Sequence, residues 1–329
     1  MSSVISAVDA FSVQYPEPND SDALRVLTFV RVRSSDGAEG WGEAVTQVPA
    51  TALATEKLIE GMRDLLIGRD PLQNQVIWND LVQEGWWYGH RGGIYFFAVS
   101  AVDIALWDIL GRKRGEPVWR LIGYKKAYAK MPYASQLFGD TPQATLELAR
   151  AARTRGFRAV KFGWGSYGTG PATVDADHVA AAREGLGGDG LLLIDAGQIF
   201  REDVDAAAAR IGMLEEVNTT WFEEPFLGGA YDAYAALAAR SGKVRLAGGE
   251  ASHNFHMARQ LIDYGKVAFI QIDCGRIGGL APAKRAAVWP RPSREPGRWP
   301  VPAAPGRRTA DLPLLALPAC LSTLETKLC

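Results

Sequence analysis

Three acidic residues, Asp195, Glu223 and Glu250, each follow a short apolar segment at nearly equal spacing along the chain. The intervals between them are 28 residues (223 − 195) and 27 residues (250 − 223). A step of this length is typical of a repeating strand–helix unit in which each apolar segment is a buried parallel strand. Acids at the C-terminal ends of successive barrel strands would converge on one mouth.

Three carboxylates at one barrel mouth repel one another, and this repulsion raises their pKa values or drives the side chains apart. A hard divalent cation with oxygen ligands removes the conflict, with Mg²⁺ as the first candidate and Mn²⁺ as the second. The alternative is three unrelated acids that happen to end buried strands. The spacing alone does not decide between the two interpretations.

The composition is that of an ordinary globular protein, with 47% apolar and 22% charged residues among 329. This length allows a large core and two domains. A net charge of −1 gives no reason to expect nucleic acid or an anionic membrane as a partner, and no uninterrupted apolar segment of about 18 residues predicts a membrane span. Three cysteines form no disulfide framework and no signal peptide is visible, so we expect a cytoplasmic protein.

Residues 1–124 are predicted to form an α+β domain. Leu24–Arg33 partly alternates apolar and polar residues, as a half-buried strand does, and Asp36-Gly37 is a hairpin signal before a strand at Gly40–Ala44. From residue 51 onward the pattern is helical. The domain therefore begins as an antiparallel sheet and continues as helices.

The clearest of these helices is predicted at Ala98–Leu110, where apolar residues recur at helical spacing. Asp103 and Asp108 lie on this helix, and we expect capping or solvated roles for them rather than chemistry. The preceding segment, Gly85–Phe97, combines glycines with six aromatic residues. It is suited either to line a pocket or to pack two domains together.

From Tyr128 onward, segments with strand character alternate with alanine-rich helical segments. The predicted strands are Tyr128–Ser135, Ala159–Phe162, Leu191–Asp195, Thr220–Glu223, Arg245–Gly248 and Val267–Ile272. The predicted helices are Ala144–Arg155, Val174–Glu184, Asp203–Leu214, Tyr231–Ser241 and Phe255–Tyr264. This alternation predicts a parallel α/β fold, and the acids at strand ends favour a barrel over an open sheet.

Eight short motifs occur in order between about residues 5 and 285. They are Gly40-Trp41-Gly42-Glu43, Ala105-Leu106-Trp107-Asp108, Phe157–Lys161, Leu193–Gln198, Trp221–Pro225, Gly249-Glu250, Gln271-Ile272-Asp273 and Ile277-Gly278-Gly279. Together they resemble the enolase superfamily, and within it the mandelate racemase/muconate-lactonizing enzyme group. The resemblance implies a modified, TIM-barrel-like (β/α) barrel over residues 125–285 and an α+β capping domain over residues 1–124.

The resemblance also implies a reaction. It assigns Asp195, Glu223 and Glu250 to the binding of Mg²⁺, which holds a substrate carboxylate and stabilises the enediolate formed when the α-proton is removed. Enzymes of this superfamily use a lysine or histidine base beside the metal. Glu224 would be a supporting acid rather than a ligand. The implied partner is a small-molecule carboxylate, a sugar acid or hydroxy acid; no organic cofactor is implied, and a homo-oligomer is compatible with the resemblance.

The basic groups of this chain depart from the pattern of the group. In the mandelate racemase/muconate-lactonizing enzyme group, the second barrel strand usually ends in Lys-x-Lys. In this chain the corresponding segment is Lys161-Phe162-Gly163, which keeps only the first lysine. We expect Lys161 either to polarise the substrate carboxylate or to act as a base with a depressed pKa. Asp273 matches the aspartate of an Asp–His dyad whose histidine should lie one strand later. All four histidines precede Asp273: His90, His178, His253 and His256.

One lysine supports proton removal from one face, which favours dehydration of a sugar acid to a 2-keto-3-deoxy acid. Racemisation requires a proton-transfer group on each face. The alternatives are a racemase or epimerase of a hydroxy acid, and a metal-binding barrel with impaired or no catalysis. Substrate selection is expected from the loop Tyr15–Asp22 and from Gly85–Tyr95.

Residues 286–329 form an atypical Pro-rich tail. Nine of the 18 prolines of the chain lie between residues 281 and 329, a density that prevents helix interiors and central strands. We hypothesise a shifted reading frame soon after Lys284, which leaves the barrel incomplete at its C-terminal end. The competing interpretation is a natural tail on a shortened barrel.

The coding DNA tests the frameshift hypothesis. We expect one alternative frame downstream of the Lys284 codon to encode further strand–helix units with a histidine at a strand end. If neither frame encodes such a segment, the hypothesis is wrong.

Overall fold

The computed structural model describes residues 3–17, 23–88, 92–127 and 130–289. The first part of the chain forms a capping region, an antiparallel sheet followed by helices. Its elements are β1 (Ile5–Glu17), β2 (Ala23–Ser34), β3 (Glu39–Ala44), α1 (Pro49–Gly61), α2 (Arg63–Leu66), α3 (Asn74–Glu84), a 3-10 turn (Gly85–Trp87), α4 (Gly93–Arg114) and α5 (Val118–Leu121). The strands pair in the order β1-β2-β3.

Strand β3 and helix α4 lie very close together because β3 carries glycine at two positions. A Cβ atom at Gly40 would collide with the main-chain oxygen of Ala105, and one at Gly42 with that of Ala101. The first motif of the chain therefore has a packing function: its glycines let α4 lie directly on the sheet. Val30 of β2 is fully buried in the core that this packing creates.

Helix α4 spans 22 residues, and by length and composition it is the one helix in the described part of the chain that could cross a membrane. In the structure eleven of its residues are buried, among them Val102 and Leu106. Val102 and Leu106 pack into the core formed with the β1–β3 sheet and helix α1. An apolar helix covered in this way is typical of the interior of a folded domain.

The second part forms a barrel region in which parallel strands alternate with helices. Its elements are β4 (Ala134–Leu137), α6 (Pro142–Thr154), β5 (Ala159–Gly163), α7 (Ala172–Leu186), β6 (Leu191–Asp195), α8 (Val204–Ala208), α9 (Ile211–Glu216), β7 (Trp221–Glu223), α10 (Tyr231–Ala238), β8 (Leu246–Gly248), α11 (Phe255–Asp263), β9 (Phe269–Ile270) and α12 (Leu280–Ala287). The six strands pair in sequence order, so β4 and β9 are the outer strands within the described residues. The predicted capped α/β barrel is confirmed, and within the described residues its sheet has six strands and is not closed.

Several predicted elements differ in extent, and the loop predicted at Tyr15–Asp22 is wrong for its first three residues, which belong to β1 and pair with β2. The helix expected at Asp203–Leu214 is divided into α8 and α9, and between them the buried Arg210 donates a hydrogen bond from Nε to Asp175 Oδ2 at 3.0 Å. The first barrel strand begins only at Ala134, and Tyr128 lies outside the described residues. The last predicted strand shortens to Phe269–Ile270. The tail beyond residue 289 also lies outside the described residues, and the boundary at residue 124 stays a prediction.

Side chains of the barrel strands alternate between two environments, as expected for a closed-type parallel sheet. Leu192 and Phe222 belong to the core between strands and surrounding helices. Leu193, Trp221 and Phe269 form a separate inner layer with Ala247. This alternation decides which strand-end side chains reach the interior of the barrel.

Two helix N-termini join the capping region to the barrel region. Asp103 on α4 accepts a hydrogen bond at Oδ2 from the backbone N–H of Leu280, the first residue of α12, at 2.7 Å. His253, in the loop after β8, accepts one at Nδ1 from the backbone N–H of Gly93, the first residue of α4, at 3.1 Å. The N-terminal N–H groups of a helix lack partners within the helix, so these contacts satisfy them. The expected capping role of Asp103 is confirmed, although the helix that it caps belongs to the other region.

The Gly278-Gly279 pair fits tightly against α4. Both glycines adopt positive φ, 103° and 108°, and a Cβ atom on Gly279 would collide with the Asp103 side chain. The backbone N–H of Gly278 donates to Ser100 Oγ at 2.9 Å, and its carbonyl accepts from Trp78 Nε1 at 2.6 Å. The last motif of the chain therefore docks the barrel onto the capping region.

Replacement of Asp103 by Asn should change how stability depends on pH. Burial raises the pKa of the Asp103 carboxyl from 3.8 to about 7, with the Leu280 N–H opposing the rise. The folded state therefore keeps this proton where the unfolded state has lost it, and the carboxyl costs stability as pH rises from about 4 to about 7, on the order of a few kcal/mol in total. Asp103→Asn keeps an acceptor oxygen and does not ionise, so its melting temperature should fall less between pH 5 and pH 8 than that of the wild type.

Thermal unfolding followed by circular dichroism across this pH range measures the difference. Asp108→Asn is the matched control, since that carboxylate accepts hydrogen bonds from Trp41 N–H and Arg112 nearer the surface. The same pH dependence in Asp103→Asn and the wild type would contradict the assignment.

Candidate active site and metal centre

Strands β5, β6 and β7 bring three predicted site residues together. Asp195 ends β6 and Glu223 ends β7, and the two are direct partners in the parallel register. The Lys161 Nζ on β5 donates hydrogen bonds to Asp195 Oδ2 at 2.8 Å and to Glu223 Oε1 at 2.7 Å. Both carboxylates are buried, and the lysine side chain is only 12% exposed. The lysine therefore pairs with two strand-end acids at once but compensates only one of their two negative charges.

The remaining oxygens of these two carboxylates are also hydrogen-bonded. Trp221 Nε1 donates to Glu223 Oε2 at 2.9 Å, and the backbone N–H of Gly197 donates to Asp195 Oδ1 at 2.9 Å. Trp221 lies two residues before Glu223 on the same strand, so both side chains point to the same side. These contacts fix the orientation of both acids.

Glu224 follows Glu223 but belongs to a different set of contacts. Its Oε2 accepts a hydrogen bond from Gln198 Nε2 at 2.7 Å, and its Oε1 accepts one from the backbone N–H of Gly249 at 3.4 Å. Burial raises the pKa of this carboxyl, while the Gln198 hydrogen bond lowers it. Glu224 thus links the loop after β6 to the end of β8, which agrees with the expected supporting role.

Glu250 lies two residues beyond β8 and contributes its charge to the same site. Burial raises the pKa of its carboxyl to about 7, with repulsion from Glu224 and Asp195 adding to the rise and Lys161 opposing it. Burial followed by repulsion from Asp195 likewise raises the pKa of Glu223 to about 8. One ammonium group therefore does not balance the negative charge of this cluster.

The donor set suits a hard divalent cation in its chemistry. As the side chains stand, no three Asp, Glu, His or Cys residues in the described part of the chain are close enough together to hold a metal ion. Asp195, Glu223 and Glu250 nevertheless offer only oxygen donors, and burial together with repulsion from neighbouring carboxylates raises the pKa of both glutamates. Mg²⁺ or Mn²⁺ supplies compensating positive charge and takes oxygen ligands.

Lys161 is a charged ammonium in this arrangement. Burial by itself would lower its pKa, but attraction to Glu223 and Asp195 outweighs burial and raises the pKa well above its ordinary value. Its Nζ also lies 5.7 Å from the centre of the Tyr133 ring. A base with a depressed pKa therefore requires that another cation neutralise the two carboxylates first.

The position of the missing second lysine is sterically closed. Gly163 ends β5 beside Asp195, and a Cβ atom built on it would lie 2.6 Å from Asp195 Cβ and closer still to the Asp195 carbonyl oxygen. The strands approach each other too closely here for any side chain. The local backbone therefore admits glycine but not a second lysine at position 163.

Asp273 follows β9 and has its own set of contacts. Its Oδ1 accepts a hydrogen bond from the backbone N–H of Gly275 at 2.8 Å, and burial raises the pKa of its carboxyl while Arg276 lowers it. Arg276 Nη1 donates to the main-chain oxygen of Glu250 at 3.3 Å. Arg276, which the motif comparison did not single out, therefore connects the loops after β8 and β9.

The contacts of the three described histidines do not identify any of them as the partner of Asp273 in an Asp–His dyad. His178 Nδ1 is hydrogen-bonded to Thr145 Oγ1 at 2.9 Å between α6 and α7, and His253 caps α4. The ring of His256 packs against that of Phe255. His90 lies outside the described residues, as do residues 18–22 and 89–91 of the two segments predicted to select the substrate.

Comparison with known proteins places this geometry in a family. Residues 21–123 match the mandelate racemase / muconate lactonizing enzyme N-terminal domain, and residues 144–289 match the enolase C-terminal domain-like family. The chain therefore belongs to the enolase superfamily, in its mandelate racemase/muconate lactonizing enzyme group. The resemblance inferred from the motifs is confirmed.

Two of the following three similar proteins have names that specify a sugar acid as substrate. A 3,6-anhydro-alpha-L-galactonate cycloisomerase of Streptomyces coelicolor is 32% identical over 266 residues, 80% of this chain and 71% of the relative. A crystal structure of a predicted mandelate racemase from Rhodobacter sphaeroides is 47% identical with a TM-score of 0.75, covering 87% of this chain and 74% of that one. A structure of an L-talarate/galactarate dehydratase mutant, liganded with Mg and L-glucarate, is 25% identical with a TM-score of 0.77, covering 87% and 74%.

The chain spans between 65% and 71% of the length of three such curated relatives. These relatives are cycloisomerases and a dehydratase of sugar acids or their lactones. The curated relatives are thus isomerases and a lyase, and this chain belongs to a family of such enzymes.

Removal of the Lys161 ammonium should destabilise the protein in a way that Mg²⁺ reverses. In Lys161→Met, Asp195 and Glu223 lose their shared counter-charge, and breaking a buried ion pair in this way costs about 3–5 kcal/mol. We expect the melting temperature to fall by several degrees in EDTA and the difference from wild type to shrink in millimolar Mg²⁺.

Differential scanning calorimetry under both conditions measures this effect. Lys57→Met is the matched control, because Lys57 pairs with Glu60 at the surface and surface pairs contribute little. A Lys161→Met protein that melts at the wild-type temperature in EDTA would refute the electrostatic role of this lysine.

Proposed function

We propose that this protein removes the α-proton of a sugar acid in a Mg²⁺-dependent reaction and eliminates the β-hydroxyl to give a 2-keto-3-deoxy acid. The observation that carries the proposal is the Lys161 ammonium hydrogen-bonded to Asp195 and Glu223 at the strand ends of an enolase-superfamily barrel. A basic group next to carboxylates that suit a divalent cation is the minimum apparatus for α-proton removal.

Asp195, Glu223 and Glu250 would hold the metal. When bound, Mg²⁺ supplies positive charge to the substrate carboxylate and to the second negative charge that develops on it. The Gly197 N–H and Trp221 Nε1 orient Asp195 and Glu223, but Lys161 occupies one oxygen of each acid, so the side chains would have to rearrange before all three carboxylates could reach one cation. The Mg-liganded dehydratase relative supports the choice of metal.

Lys161 would exchange partners during this chemistry. Its pKa is high because two carboxylates hold its proton in place, so neutralising those carboxylates lowers the pKa towards the range of a working base. The lysine then takes the α-proton and becomes an ammonium, the bond between the β-carbon and its hydroxyl oxygen breaks, and the hydroxyl leaves as water with the proton that Lys161 has gained. The resulting enol tautomerises to the 2-keto acid.

The names of relatives support the substrate class, because two of them are enzymes of galactonate- or galactarate-type acids. Racemisation or epimerisation of a hydroxy acid is the second candidate, since the same first step serves it and an isomerase is among the relatives. Asp273 stays a predicted catalytic residue, with its carboxylate oriented by the Gly275 N–H and its pKa raised by burial and lowered by the charge of Arg276. A cytoplasmic location and a homo-oligomeric state stay predictions.

A Mg²⁺-dependent screen of six-carbon sugar acids for 2-keto acid formation tests the proposal. Glu223→Gln should lower activity at least about a hundredfold, because it removes one charged ligand and one partner of Lys161. Glu147→Gln, at an exposed carboxylate on α6, is the matched control and should leave activity unchanged. Addition of EDTA should abolish the wild-type activity.

Other outcomes select the alternatives. Exchange of the α-proton in deuterium oxide without keto acid, followed by NMR, would identify an epimerase-type half-reaction. No exchange and no product, with Mg²⁺ still raising the melting temperature, would identify a metal-binding barrel with impaired catalysis.

A further inference from the structure

Trp164 is an exposed aromatic side chain held in a fixed position beside the candidate metal centre. It follows Gly163 in the turn after β5, and 57% of its surface is exposed. Its backbone adopts φ of 61°, in the left-handed region that residues other than glycine rarely occupy. Such a conformation costs about 1–2 kcal/mol and persists only where the surroundings impose it.

The surroundings that impose it belong to Asp195 and its neighbours. The backbone N–H of Trp164 donates to the Asp195 carbonyl at 3.3 Å, and the indole Nε1 donates to Asp195 Oδ2 at 3.3 Å. The ring lies against Gly197, where an added Cβ atom would be 3.1 Å from the indole. The Trp164 carbonyl accepts a hydrogen bond from the Tyr167 N–H at 3.3 Å. The backbone, one ring edge and one ring face are thus all fixed.

This arrangement is costly for the fold alone. Burying an aromatic side chain stabilises a protein, whereas Trp164 leaves more than half of its surface in water and adopts a strained backbone. A rigid aromatic surface next to a few oriented polar groups is instead the composition of small-molecule binding sites. Because the ring is already ordered, a ligand that packs against it loses little additional entropy.

We propose that Trp164 is a substrate-contacting residue whose exposed ring packs against the C–H groups of the carbon skeleton of a sugar acid. The inference rests on the function proposed above and adds a specificity element to it. The substrate carboxylate lies towards the Lys161 cluster, and the indole hydrogen bond to Asp195 fixes the distance from that cluster to the ring. The contact favours long sugar acids over short hydroxy acids, which have no skeleton to cover the ring.

Two substitutions separate the ring from its hydrogen bond. Trp164→Gly removes the ring and suits the left-handed backbone, so the turn is retained. Trp164→Phe keeps an aromatic surface and removes the N–H donor to Asp195. Trp41→Leu, on β3 in the capping region, controls for loss of a partly exposed tryptophan elsewhere.

Binding is measured by titration calorimetry on the full chain with saturating Mg²⁺. The probes are D-galactonate, D-gluconate, galactarate and D-glucarate, with D-glycerate as the short hydroxy acid. For the sugar acid that the wild type binds most tightly, we expect Trp164→Gly to raise Kd about tenfold, equivalent to about 1.4 kcal/mol. Trp164→Phe and Trp41→Leu should stay within about threefold of wild type. The Kd for D-glycerate and the Kd for Mg²⁺ alone should change less than twofold in every variant.

Three results would overturn the proposal. An unchanged sugar-acid Kd in Trp164→Gly shows that the ring does not contact the substrate. An equal loss of D-glycerate and sugar-acid binding, together with weaker Mg²⁺ binding in both Trp164 variants, shows that the indole serves only to orient Asp195. A wild-type protein that binds Mg²⁺ but none of the sugar acids refutes the proposed function itself, and with it the role of Trp164.

Discussion

Two buried carboxylates can end adjacent parallel strands only if a positive charge lies between them. Here that charge is the ammonium of Lys161, which donates to both Asp195 and Glu223. The register of β5, β6 and β7 makes the contact possible, because it places the lysine one layer below the two acids on the same side of the sheet. The remaining groups of the mouth then arrange around this ion pair: Trp221 and Gly197 hold the outer carboxylate oxygens, and Glu250 adds a charge that the lysine does not balance.

The sequence predicts those features that depend on local periodicity. Strand-end acids at a 27- to 28-residue step can be recognised because each apolar segment is a short buried strand and each unit repeats it. Trp221 could have been identified by the same rule, since it lies two residues before Glu223. Trp164 carries no such signal, because its position depends on a left-handed turn and on contacts with Asp195 and Gly197, 31 and 33 residues away.

The departures from the family pattern also have different origins. Close approach of β5 and β6 explains why residue 163 has no side chain, and the turn that follows provides the indole of Trp164 as a contact to Asp195. The absence of a dyad histidine after Asp273 has no such local explanation. Within the described residues the sheet ends at β9, and the strand on which the family places that histidine would come next. The loss of periodicity and the density of proline predict a break near this point, and the tail on which that prediction rests lies outside the described residues.

Each of the two regions caps a helix of the other, and this limits how freely either region could be exchanged for that of another enzyme. His253 of the barrel region completes the first turn of α4, while Asp103 of α4 completes the first turn of α12 and excludes any residue but glycine at position 279. At each of these helix N-termini, the side chain that accepts the hydrogen bond comes from the other region. A chimaera that joined this barrel to the capping region of another enzyme would have to transplant both partners of each contact, so substrate range in this architecture is more easily altered by changing loops than by exchanging whole domains.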